Sequence, residues 1–383
     1  MDSTQEITDL TICRALFAAG VFVCFLNQFL HFSHFLGRFS GLVSRGYLGV
    51  DGFFVLSGLA LMHVHREFDV VGMDGPVPAF ALPKWSLLWR FYALRLGRIY
   101  PVHLVTLLVV VALVWAGLGP FMQPLGHARF SLVAGLRNVV LVQGWGGEAF
   151  GSWNVPAWAL SDLWVGYLLF PVLAMLLTYF SRHVSLQISL VVFPVLGIIY
   201  YYGGYTLDLT SGVGLLRFFP EFIAGMAMYR MADVVADYNG VRGFFLWVGV
   251  GLTLVGVALS CDIAAVPGLW ALIFACYLQH DAEMKPFFGR ARVLLFLGRL
   301  SYCFYMSFAI AGMLVYALFV HLGWRILGHG LLFALCVTLI TFGLAVLLRG
   351  VVEGPCRRWV TLWLHRVPPV ADEPEVQTSH SLF

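Results

Sequence analysis

Ten stretches of mostly apolar residues decide what this chain can fold into. They lie at 10–30, 47–65, 101–119, 156–180, 184–203, 212–231, 243–261, 263–280, 301–323 and 327–349. A helix that crosses a bilayer needs about 20 such residues. It must be a helix, because hydrocarbon offers no partner for open backbone N–H and C=O groups. The pattern therefore predicts an all-α integral membrane protein, a bundle of about ten transmembrane helices. The run at 263–280 is the weakest, since Pro267 and Gly268 interrupt it. Composition agrees: 11% of the residues are charged, against roughly 25% in a soluble domain. Too few charges remain to cover a water-facing surface.

Charge orients the bundle. With a cytoplasmic N-terminus, the cytoplasmic connections and span ends hold Arg66, Lys84, Arg90, Arg95, Arg98, Arg182, Arg230, Arg242, Lys285, Arg290, Arg292 and Arg299. The C-terminal side adds Arg349, Arg357, Arg358 and Arg366, while the opposite face keeps Arg38, Arg45, Arg129, Arg137 and Arg325. Basic residues are retained on the cytoplasmic side, so both termini are expected there. The formal net charge of +3 is too small for a nucleic-acid-binding face. The seven Cys are scattered, with no CxxC and no metal-ligand spacing, and are read as small buried hydrophobes. No metal and no resident cofactor is expected. No basic stretch precedes the first apolar run and no small-residue cleavage site follows it, so no cleaved signal peptide is expected.

Two segments stand apart from the spans. Residues 85–100, WSLLWRFYALRLGRIY, alternate Trp, Phe, Tyr and Leu with Arg90, Arg95 and Arg98, and read as an amphipathic helix at the cytoplasmic interface. Residues 367–383 mix Pro, acids and Ser without periodicity, and are expected to form a disordered tail behind a single transmembrane domain, 1–366.

Ionisable side chains inside spans are costly and usually functional. Here they are Arg14, Asp51, Asp162, Arg217 with Glu221 four residues on, and Glu353 just after the last span. Arg217 and Glu221 can share one helix face. A plain structural role competes for each: snorkelling for Arg14 and Glu353, pairing for Arg217 with Glu221, a helix cap for Asp51. The cluster Arg90, Arg95 and Arg98, with Tyr100 ahead of the Pro101 that opens the next span, reads either as cytoplasmic anchor charges or as a phosphate site, because the guanidinium fork matches phosphate oxygens.

Six segments in order then resemble the acyltransferase 3 family of integral membrane acyltransferases. They are GYLGVDGFFVLSGLAL (46–61), LRLGRIYPVHL (94–104), NVPAWALSDLWVGYLLFP (154–171), RFFPEFIAGM (217–226), LGRLSYCFYMSF (297–308) and VEGPCRRW (352–359). The resemblance runs from Arg14 to Trp359. It implies helices around a polar cavity open to both sides of a bacterial inner (plasma) membrane. It also implies transfer of an acyl group, often acetyl, from cytosolic acyl-CoA to a hydroxyl of a surface or exported saccharide. Arg14 would face the cavity, Arg95, Arg98 and Tyr100 would serve the donor, and Asp51, Asp162 and Glu221 would be the carboxylates nearest the chemistry.

The chain departs from the family pattern where proton transfer is expected. The family carries His eleven residues after the first-helix Arg, about three helical turns on and so on the same face. Position 25 is Phe here. The Glu of the third quoted segment is Leu163, with Asp162 one residue and about 100° away, and the His that often ends the fifth is Phe308. Substitute bases are Asp51, Asp162, His31 and His34; Gln28 has no useful pKa. A relative that binds acyl-CoA or a glycan without transferring, or assists export, is the competing function, and a secondary transporter is a third. No two-fold repeat of the transporter kind is visible in the sequence.

Overall fold

The computed structural model describes residues 7–68, 85–118, 130–146, 152–178, 182–210, 213–235, 238, 240–278, 288 and 291–366. Among them there are helices and turns and no strand. In chain order the helices are α1 (Thr8–Leu30), α2 (Gly41–Ser44), α3 (Gly49–Val64), α4 (Trp85–Leu113), α5 (Leu132–Val139), α6 (Ala157–Thr178), α7 (Arg182–Tyr202), α8 (Gly214–Val235), α9 (Val241–Ala258), α10 (Asp262–Tyr277), α11 (Arg292–His321), α12 (Gly330–Leu348) and α13 (Gly354–Arg366). Each of the ten apolar stretches carries a helix among the described residues. Among those residues eight helical runs are long and apolar enough to cross a membrane. The other two stretches are α8, which carries Arg217, Glu221 and Arg230, and α10, which is only 16 residues long. The chain is a multi-pass, all-α membrane protein. The tail at 367–383, Lys84, Arg129, Lys285 and Arg290 lie outside the described residues.

The interfacial helix expected at 85–100 is not a separate element. Trp85–Leu113 is one helix that passes through Pro101. Proline removes the hydrogen bond its N–H would have made one turn back. Two residues before that proline, Tyr302 donates its hydroxyl to the Ile99 carbonyl at 2.6 Å, tying α11 to this part of α4. The amphipathic character survives in the first turns, where Trp85 and Trp89 are exposed, as interfacial Trp should be. Continuity matters because it fixes Arg95 and Arg98 in register with the span. Likewise α12 does not stop at 349 but runs through a π turn, Arg349–Glu353, into α13.

Backbone contact at small residues holds the helices around the site. A Cβ added at Gly58 of α3 would lie 2.0 Å from the Phe222 carbonyl oxygen, and one at Gly225 of α8 would lie 2.0 Å from that of Val55. The two helices therefore touch backbone to backbone, which only glycine permits. The same device joins α1 to α11, where a Cβ at Gly298 would lie 1.9 Å from the Thr11 carbonyl oxygen. Thr11 is one turn before Arg14, and Gly298 one turn before Ser301 and Tyr302. That crossing sets the cavity described next.

Candidate active site

Helices α1, α3, α4, α6 and α11 line a half-open cavity whose space, solvent at its mouth included, is about 930 Å³. Arg14 enters from α1, Arg95 and Arg98 from α4, Leu163 and Tyr167 from α6, and Ser301, Tyr302 and Tyr305 from α11. The α3 wall is apolar apart from Ser57, whose hydroxyl donates to the Phe53 carbonyl at 2.7 Å. Among the described residues three arginines line this space and no carboxylate does. A guanidinium carries five donors and no acceptor, so three of them on one wall favour an anion with several oxygens. The Arg95 guanidinium lies 5.8 Å from the Phe91 ring centre and 6.0 Å from that of Tyr167, with one outer nitrogen 2.7 Å from His65 Nε2.

Tyr100 does not join them. It follows Arg98 by two residues, about 200° around the helix, and its hydroxyl donates to the Val139 carbonyl at 2.9 Å. Its place is against the C-terminal end of α5.

The three carboxylates singled out in the sequence lie behind the wall. Asp51 and Glu221 are buried beside one another, with Arg217 facing both. Arg217 Nε approaches Asp51 Oδ1 to 3.8 Å, between two side chains with no exposure at all. Arg217 reaches across to α3, therefore, as well as along its own helix to Glu221. It also donates to the Leu207 carbonyl and packs its guanidinium 5.1 Å over the Trp158 ring. The Leu207 segment is itself pinned, because its N–H donates to Asp262 Oδ2 at 2.8 Å and Asp262 pairs with Arg45 at 2.8 Å.

Asp162 shows what one residue of helical rotation does. Leu163, where the family pattern has Glu, lines the cavity. Asp162 turns about 100° away and fits against two glycines: a Cβ at Gly144 or Gly214 would lie 2.4 Å from one of its carboxylate oxygens. No described protein group donates a hydrogen bond to either oxygen. Tyr305, which lines the cavity, lies within range of the charges of both Asp162 and Arg217 without a hydrogen bond to Asp162.

The two histidine positions of the family pattern also meet. Phe25 and Phe308 pack with ring centres 4.6 Å apart. Phe22, Phe29 and Phe304 extend the cluster, Phe22 to Phe304 at 5.0 Å and Phe25 to Phe29 at 5.3 Å. Two potential proton acceptors have been replaced by one continuous apolar contact. His31 and His34 lie beyond α1, are exposed and line no part of the cavity.

The tyrosines at 167, 302 and 305 were not singled out in the sequence. A signal existed: Tyr302 and Tyr305 are spaced i, i+3 and Leu163 and Tyr167 i, i+4, each pair on one helix face. Glu353 accepts the Cys303 thiol at 3.1 Å, just behind Tyr302.

The acyltransferase-domain family model matches residues 8–350. This chain belongs to that acyltransferase family. Over an alignment of 413 residues it is 25% identical to acyltransferase MdmB of Streptomyces mycarofaciens, an alignment that takes in 98% of this chain and 97% of that protein. No solved structure matches it. The protein is thus a membrane-embedded acyltransferase, transferring groups other than aminoacyl groups, and the match spans every element that lines the cavity.

Proposed function

We propose that this acyltransferase takes an acyl group, acetyl in the first instance, from cytosolic acyl-CoA and places it on a hydroxyl of a surface or exported saccharide. The observation that carries the donor half is the cavity wall of Arg14, Arg95 and Arg98 with no carboxylate among the described lining residues. Acyl-CoA brings a pyrophosphate and a ribose phosphate, the anionic oxygens such a wall suits. In this reading the chain sits in the inner (plasma) membrane with both termini in the cytoplasm, as the arginine bias predicts.

The chemistry follows from charge. The acceptor oxygen attacks the thioester carbonyl carbon, the C–S bond breaks, and the CoA thiolate leaves and takes up a proton. Arg14 stabilises the carbonyl oxygen as it gains charge. The acceptor proton passes by way of the Tyr305 hydroxyl and a bridging water to Asp162, to which no described protein group donates a hydrogen bond, and from there to the departing thiolate. Asp51 and Glu221 act through Arg217, whose charge they balance.

Donor binding tests this directly. Equilibrium binding of radiolabelled acetyl-CoA to purified protein in nanodiscs should weaken about tenfold or more in Arg95→Ala and in Arg98→Ala, the loss of one charge-assisted hydrogen-bonding group. Equal binding by wild type and both variants would sink the donor assignment.

The second reading, a relative that binds acyl-CoA without transferring it, has one specific support in the Phe25–Phe308 contact. The double substitution Phe25→His with Phe308→His separates the two. If wild type acetylates a saccharide acceptor, the double variant is expected to fall below it, because two polar rings replace a packed aromatic pair. If wild type is silent with every acceptor and the double variant gains transfer, the natural chain has lost its chemistry.

A further inference from the structure

Besides Tyr167 in the cavity wall, Arg95 is held by groups that lie outside the cavity. Its outer nitrogen is 2.7 Å from His65 Nε2, and His65 Nδ1 is 2.8 Å from Glu67 Oε1. A guanidinium can only donate, so Nε2 must accept. The ring hydrogen therefore sits on Nδ1, which donates to Glu67. Both ring nitrogens are committed, and His65 is neutral in one tautomer. The ring is 5% exposed and edge-on to Phe91 with centres 4.9 Å apart, and it also meets Phe68 and Phe170 at 6.2 Å. These residues come together because α3 ends at Val64: His65 leaves the helix, and the 3₁₀ turn Arg66–Phe68 swings Glu67 back beside it.

We infer that His65 and Glu67 are positioning residues that hold the Arg95 guanidinium ready for an anionic donor. This deepens the donor reading above and rests on it. A carboxylate bonded directly to Arg95 would orient it but cancel its charge. A neutral imidazole between the two orients the fork while leaving the positive charge to the cavity. Arginine otherwise gives up rotamer entropy when it is fixed, and fixing it beforehand removes that cost from binding.

The test measures acetyl-CoA binding and, separately, the KM for each substrate, on nanodisc-embedded wild type, His65→Ala, His65→Gln, Glu67→Ala and Arg95→Ala. His65→Ala should weaken donor binding and raise donor KM about tenfold, with acceptor KM and kcat within about twofold of wild type. Glu67→Ala, at the rim, should cost roughly threefold, since it frees only the far end of the relay. His65→Gln should return donor binding to within about threefold of wild type, because an amide also offers one acceptor and one donor. A role in folding alone would lower all parameters together and would not distinguish donor from acceptor. If Arg95→Ala loses binding while His65→Ala and Glu67→Ala bind like wild type, the relay is wrong and the donor reading stands. The relay also fails if folded His65→Gln is as weak as His65→Ala. Wild type and Arg95→Ala binding alike, or neither binding, would overturn the donor reading and the relay with it.

Discussion

Arg217→Ala is expected to leave little folded protein. Its side chain is fully buried, 3.8 Å from Asp51, and it is the cation that faces Asp51 and Glu221 together. Taking one partner out of a buried charge pair costs about 3–5 kcal/mol, because the other charge is left where water cannot reach it. Here two carboxylates are left, and the Leu207 carbonyl loses its donor as well. The measurement is the fraction of protein that survives mild heating as a monodisperse peak in size-exclusion chromatography. Arg217→Ala should lose most of it. Adding Asp51→Asn and Glu221→Gln should recover part, since the uncompensated charge is gone even though the space is not refilled. A single variant as stable as wild type would show that the carboxylates are neutral in the folded protein and that Arg217 is not their counter-ion.

Arg14→Ala is expected to remove activity without removing the fold. Arg14 lines the cavity and is only half-buried, so water can enter the space its loss opens. In the proposed chemistry it faces the thioester carbonyl oxygen, and deletion of one such donor typically costs about 10²–10³ in kcat. Asp162→Asn should fall by a comparable factor, about 10²–10⁴ for loss of a proton acceptor. The readout is transfer of labelled acetyl to a saccharide acceptor at saturating donor, alongside acetyl-CoA affinity. Arg14→Ala should lose kcat far more than donor affinity. If affinity falls and kcat holds, Arg14 belongs to the phosphate site rather than to the reacting carbonyl.

The site was legible where a helix-face rule suffices. Arg14, Arg95 and Arg98 were marked by being charged in or beside apolar runs, and all three reach one cavity. Asp51 and Glu221 were marked the same way, yet their own helices do not tell which neighbour they meet. That is set by the Gly58 and Gly225 contact, which draws α3 onto α8 and puts Asp51 opposite Arg217. Tyr100 looked like part of the basic cluster, and the register of one continuous helix through Pro101 turns it to Val139 instead. His65 carried no visible signal: its partners Arg95 and Glu67 are joined to it only where α3 ends and the chain turns.

By itself the sequence determined that this protein lives in a bilayer, that its helices occupy ten identifiable stretches, and that its polar residues belong to an acyltransferase pattern. Those follow from apolar length, the cost of open backbone in lipid and local motifs, all carried by neighbours in the chain. The tertiary structure decided which polar groups share a space. Helix rotation sends Leu163 into the cavity and Asp162 behind it, and helix packing brings Phe25 onto Phe308 and Arg217 onto Asp51. Close packing between helices depends on small residues far apart in sequence, so only the assembled bundle could show it.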